Sequence, residues 1–154
     1  MNKLGMKWFF LLSFWGVLAL PLLHAQTAAL FELAPAGTAE QVQKAITGGA
    51  DVNARDAADR TVLMLAAASN QDVRVISILL KAGAKINARG PNGWTALMMA
   101  AYNNMNPDVV EALLKAGADG RIRSGAGATA YDYALENDKV VGTQVYASLR
   151  RAQR

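Results

Sequence analysis

A chain of 154 residues, 53% hydrophobic and 18% charged, is long enough for one domain with a core of its own. It contains no cysteine, and its one histidine is His24, so disulfides, a lipid-modified cysteine, thiol nucleophiles and zinc sites built on Cys or His are excluded from the chain beyond residue 25. The formal charge is +4, but Lys3 and Lys7 supply two of the sixteen cations; the rest stands near +2, which gives nucleic-acid binding little support.

The first segment, Met1 to Lys7, carries Lys3 and Lys7 and no acid, and Trp8 to Leu20 is apolar except for Ser13 and Gly16. Pro21 and Leu23-His24-Ala25 follow. A basic start, a short apolar run and a small residue at a cleavage point predict a secretory signal peptide over 1–25, cut after Ala25. The alternative is a retained membrane anchor, yet at ~1.5 Å per residue Trp8 to Leu23 spans only ~24 Å of a ~30 Å hydrocarbon core. Export without cysteines or an Asn-x-Ser/Thr site points to a bacterial periplasmic or secreted protein whose domain holds together by packing alone. Membrane contact is expected only through the signal segment before cleavage.

From residue 26 to 154 the chain repeats with a step of 34: Gly49-Ala50, Gly83-Ala84 and Gly117-Ala118; Thr61, Thr95 and Thr129; Thr38, Asp72 and Asn106. The units run over about 27–55, 56–89, 90–123 and 124–150. Thr61, Thr95 and Thr129 precede short apolar runs and suit the N-cap of a first helix. Thr38, Asp72 and Asn106 suit the N-cap of a second, with Gln41 completing a capping box and Pro107 at a first helical position. Val75-Ile76 with Leu79-Leu80, and Val109-Val110 with Leu113-Leu114, form stripes that predict burial between repeats. Gly49, Gly83 and Gly117 stop those helices, and the Asn/Asp/Gly/Pro-rich segments Asn53 to Arg60 and Asn87 to Trp94 read as projecting turns.

These units resemble the ankyrin repeat. Gly93-Trp94-Thr95-Ala96-Leu97-Met98-Met99-Ala100-Ala101 is similar to the family's Gly-x-Thr-Pro-Leu-His-x-Ala-Ala, and Val109 to Asp119 to its second helix and Gly-Ala-Asp turn. Asp59 to Ala67 is another copy, and the likeness covers about Thr27 to Leu149. Val62, Ala96 and Ala130 replace the family's Pro, and Met64, Met98 and Asp132 its His; Asp59 stands for a turn Gly. The first and last units look like capping repeats, the last ending in Arg150, Arg151 and Arg154. The resemblance implies an all-α solenoid of about four stacked helix-turn-helix repeats with projecting hairpin-like loops.

No catalytic constellation is found. Asp56 with Asp59, and Glu136 with Asp138, are read as turn caps or solvated faces, Gly125-Ala126-Gly127 as a structural turn, and Met64, Met98 and Met99 as packing. Neither an enzyme nor a cofactor or metal is expected. By position, the family's loop tips fall at Arg60, Trp94 and Ala128, and the exposed ends of its first helices at Ala68-Ser69, Tyr102-Asn103 and Glu136-Asn137. Arg60, Arg89, Trp94, Tyr102 and Asn103 are the candidate contact residues for a protein partner, with Trp94 either an anchor or folded onto the next repeat. Arg55, Arg60, Arg89, Arg121 and Arg123 near the loop tips either favour an acidic partner or are solvated loop charge. The chain is thus expected to be a monomeric interaction module that binds, protects or regulates another envelope protein; the alternative is an immunity-type inhibitor of one toxin or hydrolase, for which a strongly acidic face is missing.

Overall fold

The computed structural model describes residues 24–154, so the signal-segment reading of residues 1–25 lies outside the described residues except for His24 and Ala25. Those two are the start of a helix over 24–33 (α1), which runs across the expected boundary at residue 25. Seven more α-helices follow: α2 (Ala39–Thr47), α3 (Val62–Ser69), α4 (Val73–Lys81), α5 (Ala96–Asn103), α6 (Pro107–Lys115), α7 (Ala130–Ala134) and α8 (Gln144–Ala152). They pair as α1–α2, α3–α4, α5–α6 and α7–α8. An inner row is formed by contacts of α3 with α5 and of α5 with α7, and an outer row by α2, α4, α6 and α8 in sequence. Among the described residues there is no strand, only an isolated bridge between Arg55 and Thr61 at the neck of one loop.

Side chains in the expected cap positions start the helices. Thr61, Thr95 and Thr129 each accept the backbone N–H three residues on, at 3.3, 3.4 and 3.4 Å. The Gln41 side chain accepts the Thr38 N–H at 2.9 Å and completes the capping box. At the other end of the outer helices, Gly83 and Gly117 turn the chain at φ 91° and 94°, where a Cβ would be strained. Each donates to the carbonyl three residues back at 3.0 Å, and the next alanine, Ala84 or Ala118, to the one five back at 3.0 Å, the Schellman pattern. Both alanines are nearly buried, which accounts for the recurring Gly-Ala pair.

The two rows are packed differently. α3 and α5 have neighbours on both sides and bury most of their surface, with Ala66, Ala67, Ala100 and Ala101 letting the helices approach closely. The outer helices bury one stripe, Val75, Ile76 and Leu79 in α4 and Val109, Val110 and Leu113 in α6. Leu80 and Leu114, expected in that stripe, are only partly buried against the core. One residue is a rotation of about 100°, which turns them to the flank of the stripe.

A feature with no counterpart in the sequence reading runs along the helix-turn end. Asn70, Asn104 and Asn137 are buried, and each amide nitrogen donates to two carbonyls of the preceding unit. Asn70 Nδ2 reaches Ala34 O at 3.1 Å and Gly37 O at 3.0 Å; Asn104 Nδ2 reaches Ala67 O at 2.8 Å and Asn70 O at 3.0 Å. Asn137 Nδ2 reaches Ala101 O and Asn104 O, both at 3.0 Å. Asn137 is therefore not at the exposed end of a first helix as expected: α7 stops at Ala134, and the chain turns Asn137 inward to continue the ladder.

Several carboxylates are tied into caps and turns. Asp72 is held below its ordinary value chiefly by the Arg74 side chain, which donates to it at 2.7 Å and outweighs the effect of burial, with the Arg74 backbone N–H adding to it. The Thr129 backbone N–H and hydroxyl do the same for Asp132, at 2.7 and 2.8 Å. A carboxyl whose pKa is lowered by folding adds stability that is complete above its unfolded value and lost as pH falls through the folded one. The thermal midpoint followed by circular dichroism is therefore expected to decline on acidification below the ordinary carboxylate range, and Asp72→Asn with Asp132→Asn to soften that decline. An acid limb unchanged in the double variant would show that these caps do not set it.

Candidate functional site

Three hairpin-like turns project between the outer helix of one unit and the inner helix of the next. Each is closed by a backbone bond, Asp56 N–H to Arg60 O at 3.0 Å, Gly90 to Trp94 at 2.8 Å and Ser124 to Ala128 at 2.9 Å. Asp59 takes φ 62° where Gly93 and Gly127 take 72° and 80°, so aspartate does fill the glycine position of the first turn. The second and third turns are joined directly by Gly125 N–H to Asn92 O at 2.6 Å.

Guanidinium groups also link the turns, each donating forward to the next unit. Arg55 Nη1 donates to Arg89 O at 3.0 Å and Arg89 Nη2 to Arg123 O at 2.8 Å. Arg55 also binds Asp59 O at 2.9 Å and Arg123 binds Gly127 O at 2.8 Å, each bracing its own turn. Arg60 is paired with Asp56, Nη2 to Oδ2 at 2.8 Å and Nε to Oδ2 at 2.8 Å. Partial burial pushes the Asp56 carboxyl up, but the backbone N–H and guanidinium of Arg60 and the Ala58 N–H outweigh it and hold the group below its ordinary value. Arg121 is drawn into its own turn by Asp119 at 3.0 Å. The arginine row is thus not a uniform free cationic strip: Arg55 and Arg89 link neighbouring turns, Arg123 braces its own, and Arg60 and Arg121 are paired with carboxylates.

Of the candidate contact residues, Trp94 and Tyr102 are brought together and Asn103 lies exposed beside them. Trp94 does not project. It is half-buried, with its ring 4.2 Å from that of Tyr133 and 5.7 Å, edge-on, from that of Tyr102; Tyr102 and Tyr133 are 6.1 Å apart. Tyr102 is 40% exposed. The Tyr133 hydroxyl is fixed by Ser124 Oγ at 2.8 Å. Arg89 lies at the foot of the same turn as Trp94, whereas Arg60 belongs to the preceding turn, where the positions of Trp94 and Tyr102 are Arg60 and Ala68. Tyr133 was missed by the sequence reading. Its signal is the 34-residue step Leu65, Met99, Tyr133 on the partly buried side of the inner helices.

Chemically this surface offers aromatic rings, phenol hydroxyls and guanidinium groups. Among the described residues no three His, Cys, Asp or Glu side chains gather as a metal site would need. Asp56 and Asp59 are engaged with arginines and turn N–H groups.

A search of curated proteins found none that matches the chain. The profile of the family described as "Ankyrin repeats (3 copies)" matches residues 30–124. That span takes in α2 to α6 and the first two hairpin-like turns, and the α7–α8 pair extends the stack through Asn137. With more than half of its length matched and its helix pairs stacked in phase, the chain belongs to the ankyrin repeat family.

Proposed function

We propose that this chain is an exported protein–protein interaction module that binds, protects or regulates another envelope protein through its hairpin turns and the exposed side of its inner helices. Ankyrin repeats generally mediate protein–protein interaction and are typically not enzymes, which supports the coarse reading. The observation that carries the choice of surface is the aromatic group Trp94, Tyr102 and Tyr133, set between the second and third turns with Tyr102 exposed. Rigid Trp and Tyr side chains present large amphipathic area at small entropic cost and are enriched where binding energy concentrates. Export rests on Lys3 and Lys7 before the apolar run to Leu20, on Ala25 at the cleavage point, and on a domain built without cysteine.

A photo-crosslinking residue placed at Asn103 in the full chain, expressed in a bacterial host of its own kind, tests both parts. An adduct with one protein is expected in the periplasmic fraction, none from the same residue placed at Lys115 on the outer row, and an N-terminus at or within a few residues of Gln26. Adducts from Lys115 but not Asn103 would move the interface, and intact Met1 on a membrane-embedded protein would sink export and release. Tyr102→Ala is expected to weaken the adduct partner by about 2 kcal/mol with the fold retained. Trp94→Ala is a poorer probe, since the half-buried ring also packs the two turns together.

A further inference from the structure

The three turns differ in charge in a way that their shared shape conceals. In the first, Arg55 and Arg60 lie 3.1 and 2.8 Å from Asp59 and Asp56, so the turn is neutral. One unit on, those two acidic positions are Gly90 and Gly93, and one further they are Ser124 and Gly127. Arg89 and Arg123 remain, and among the described residues neither has a carboxylate within the 4.0 Å of an ion pair. Their bonds to the Arg123 and Gly127 carbonyls orient the guanidinium groups without neutralising them. The acids of the neighbouring inner helix are Asp132, which feels Arg123 but has its carboxylate engaged by Thr129, and Glu136, exposed beyond the end of α7. These two cations, Arg123 tempered by Asp132, thus belong to the second and third turns, of which the second carries Trp94 and the third holds the Tyr133 hydroxyl through Ser124.

We propose that Trp94, Tyr102 and Tyr133, together with Arg89 and Arg123 of the second and third turns, bind an acidic segment of the partner protein that carries an aliphatic or aromatic anchor side chain. The inference rests on the protein-binding reading above and adds the chemistry of the partner. The aromatic rings are already fixed against one another and by Ser124, so an apolar side chain meets a preformed platform. Guanidinium groups held by backbone carbonyls are pre-set for the planar, two-point recognition that carboxylates offer. A nucleic acid is disfavoured: tracking a phosphate backbone needs a stripe of cations, and here the first turn is neutral and the chain beyond residue 25 is near +2.

The test is fluorescence anisotropy of labelled probes with the full chain. The probes are the peptide Glu-Asp-Leu-Phe-Glu-Asp, its basic counterpart Lys-Lys-Leu-Phe-Lys-Lys, its anchorless counterpart Glu-Asp-Ser-Ser-Glu-Asp, and a thymidine oligonucleotide. The first is expected to bind about tenfold or more tighter than each of the others and to weaken with added salt. Arg89→Gln with Arg123→Gln should cost it about tenfold and flatten the salt dependence, and Tyr102→Ala a similar factor, while Tyr131→Phe, in the separate stacked pair with Tyr146, leaves it unchanged. Because Arg89 also links two turns and Arg123 braces its own, Arg89→Lys with Arg123→Lys is measured alongside. Retaining both charges, it should keep most of the binding, and it decides the matter if the glutamine variant loses its helical signal. Equal affinity for acidic and basic peptides, preference for the oligonucleotide, or no saturable binding of any probe overturns the proposal. If the peptides fail while Asn103 still crosslinks a protein, only the partner's chemistry is wrong; if both fail, the interface itself is wrong.

Discussion

Asn104→Ala is expected to remove roughly 3–5 kcal/mol of stability, a large share of the ~5–15 kcal/mol typical of a domain. The side chain is wholly buried. Its amide nitrogen serves Ala67 O and Asn70 O, and its oxygen accepts the Asn106 N–H at 2.8 Å, so truncation strands three backbone groups at once. Each stranded group loses about 1–3 kcal/mol, partly recovered where water can enter. Asn104→Asp separates the contributions. The new carboxylate can still accept from Asn106 but faces two carbonyls without a donor, so it is destabilising at neutral pH. Burial and those carbonyls raise its folded pKa, so this variant should regain stability on mild acidification, opposite to the parent. Asn103→Ala, next along the chain and exposed, should stay within about 0.5 kcal/mol. Denaturant midpoints followed by circular dichroism read all three, and an Asn104→Ala midpoint equal to that of Asn103→Ala would show the ladder to be energetically idle.

Leu113→Ala is the second large effect. Leu113 is 0% exposed on α6, which packs against α5 of its own unit and α4 and α8 of the neighbouring ones, so a cavity there weakens packing where three units meet. A loss of about 2–5 kcal/mol is expected. Leu114→Ala should cost clearly less, because the partly buried Leu114 side chain leaves a site open to solvent. Equal costs for the two would mean that the flank of α6 is more tightly held than its exposure shows. Both are read from the denaturant midpoint at constant slope.

Much of the architecture was legible because it depends on local signals repeated in phase. Thr61, Thr95 and Thr129 cap helices by their own hydroxyls, and Gly83 and Gly117 adopt positive φ, whatever lies elsewhere in the chain. The Asn ladder was not legible for the opposite reason. Asn70, Asn104 and Asn137 look like polar loop residues, and their value comes from carbonyls 33 to 37 residues away. The step from Asn104 to Asn137 is also 33 rather than 34, which hides the third member from a fixed register. The arginine row was visible as charge, but its role was not, since Arg55 and Arg89 spend their donors on the neighbouring turn's backbone. At the site, Trp94 and Tyr102 stood out by residue type, while Tyr133 needed the stack to bring α7 against α5.

The two sets of cross-unit bonds run in opposite directions. The buried asparagine amides donate towards the N-terminus, and the exposed arginines towards the C-terminus. The ends of the stack are therefore not equivalent. Stripping away the last unit takes the Gly127 carbonyl from Arg123 and the Asn137 amide from the carbonyls of Ala101 and Asn104; stripping away the first takes both acceptors from the Asn70 amide. A ribosome lays the chain down in the favourable order, with acceptors in place before each asparagine arrives to use them. A duplicated stretch spanning one whole period, 56–89, would likewise find partners on both sides. Lengthening from within is the direction in which such a chain can change without meeting an unmatched end.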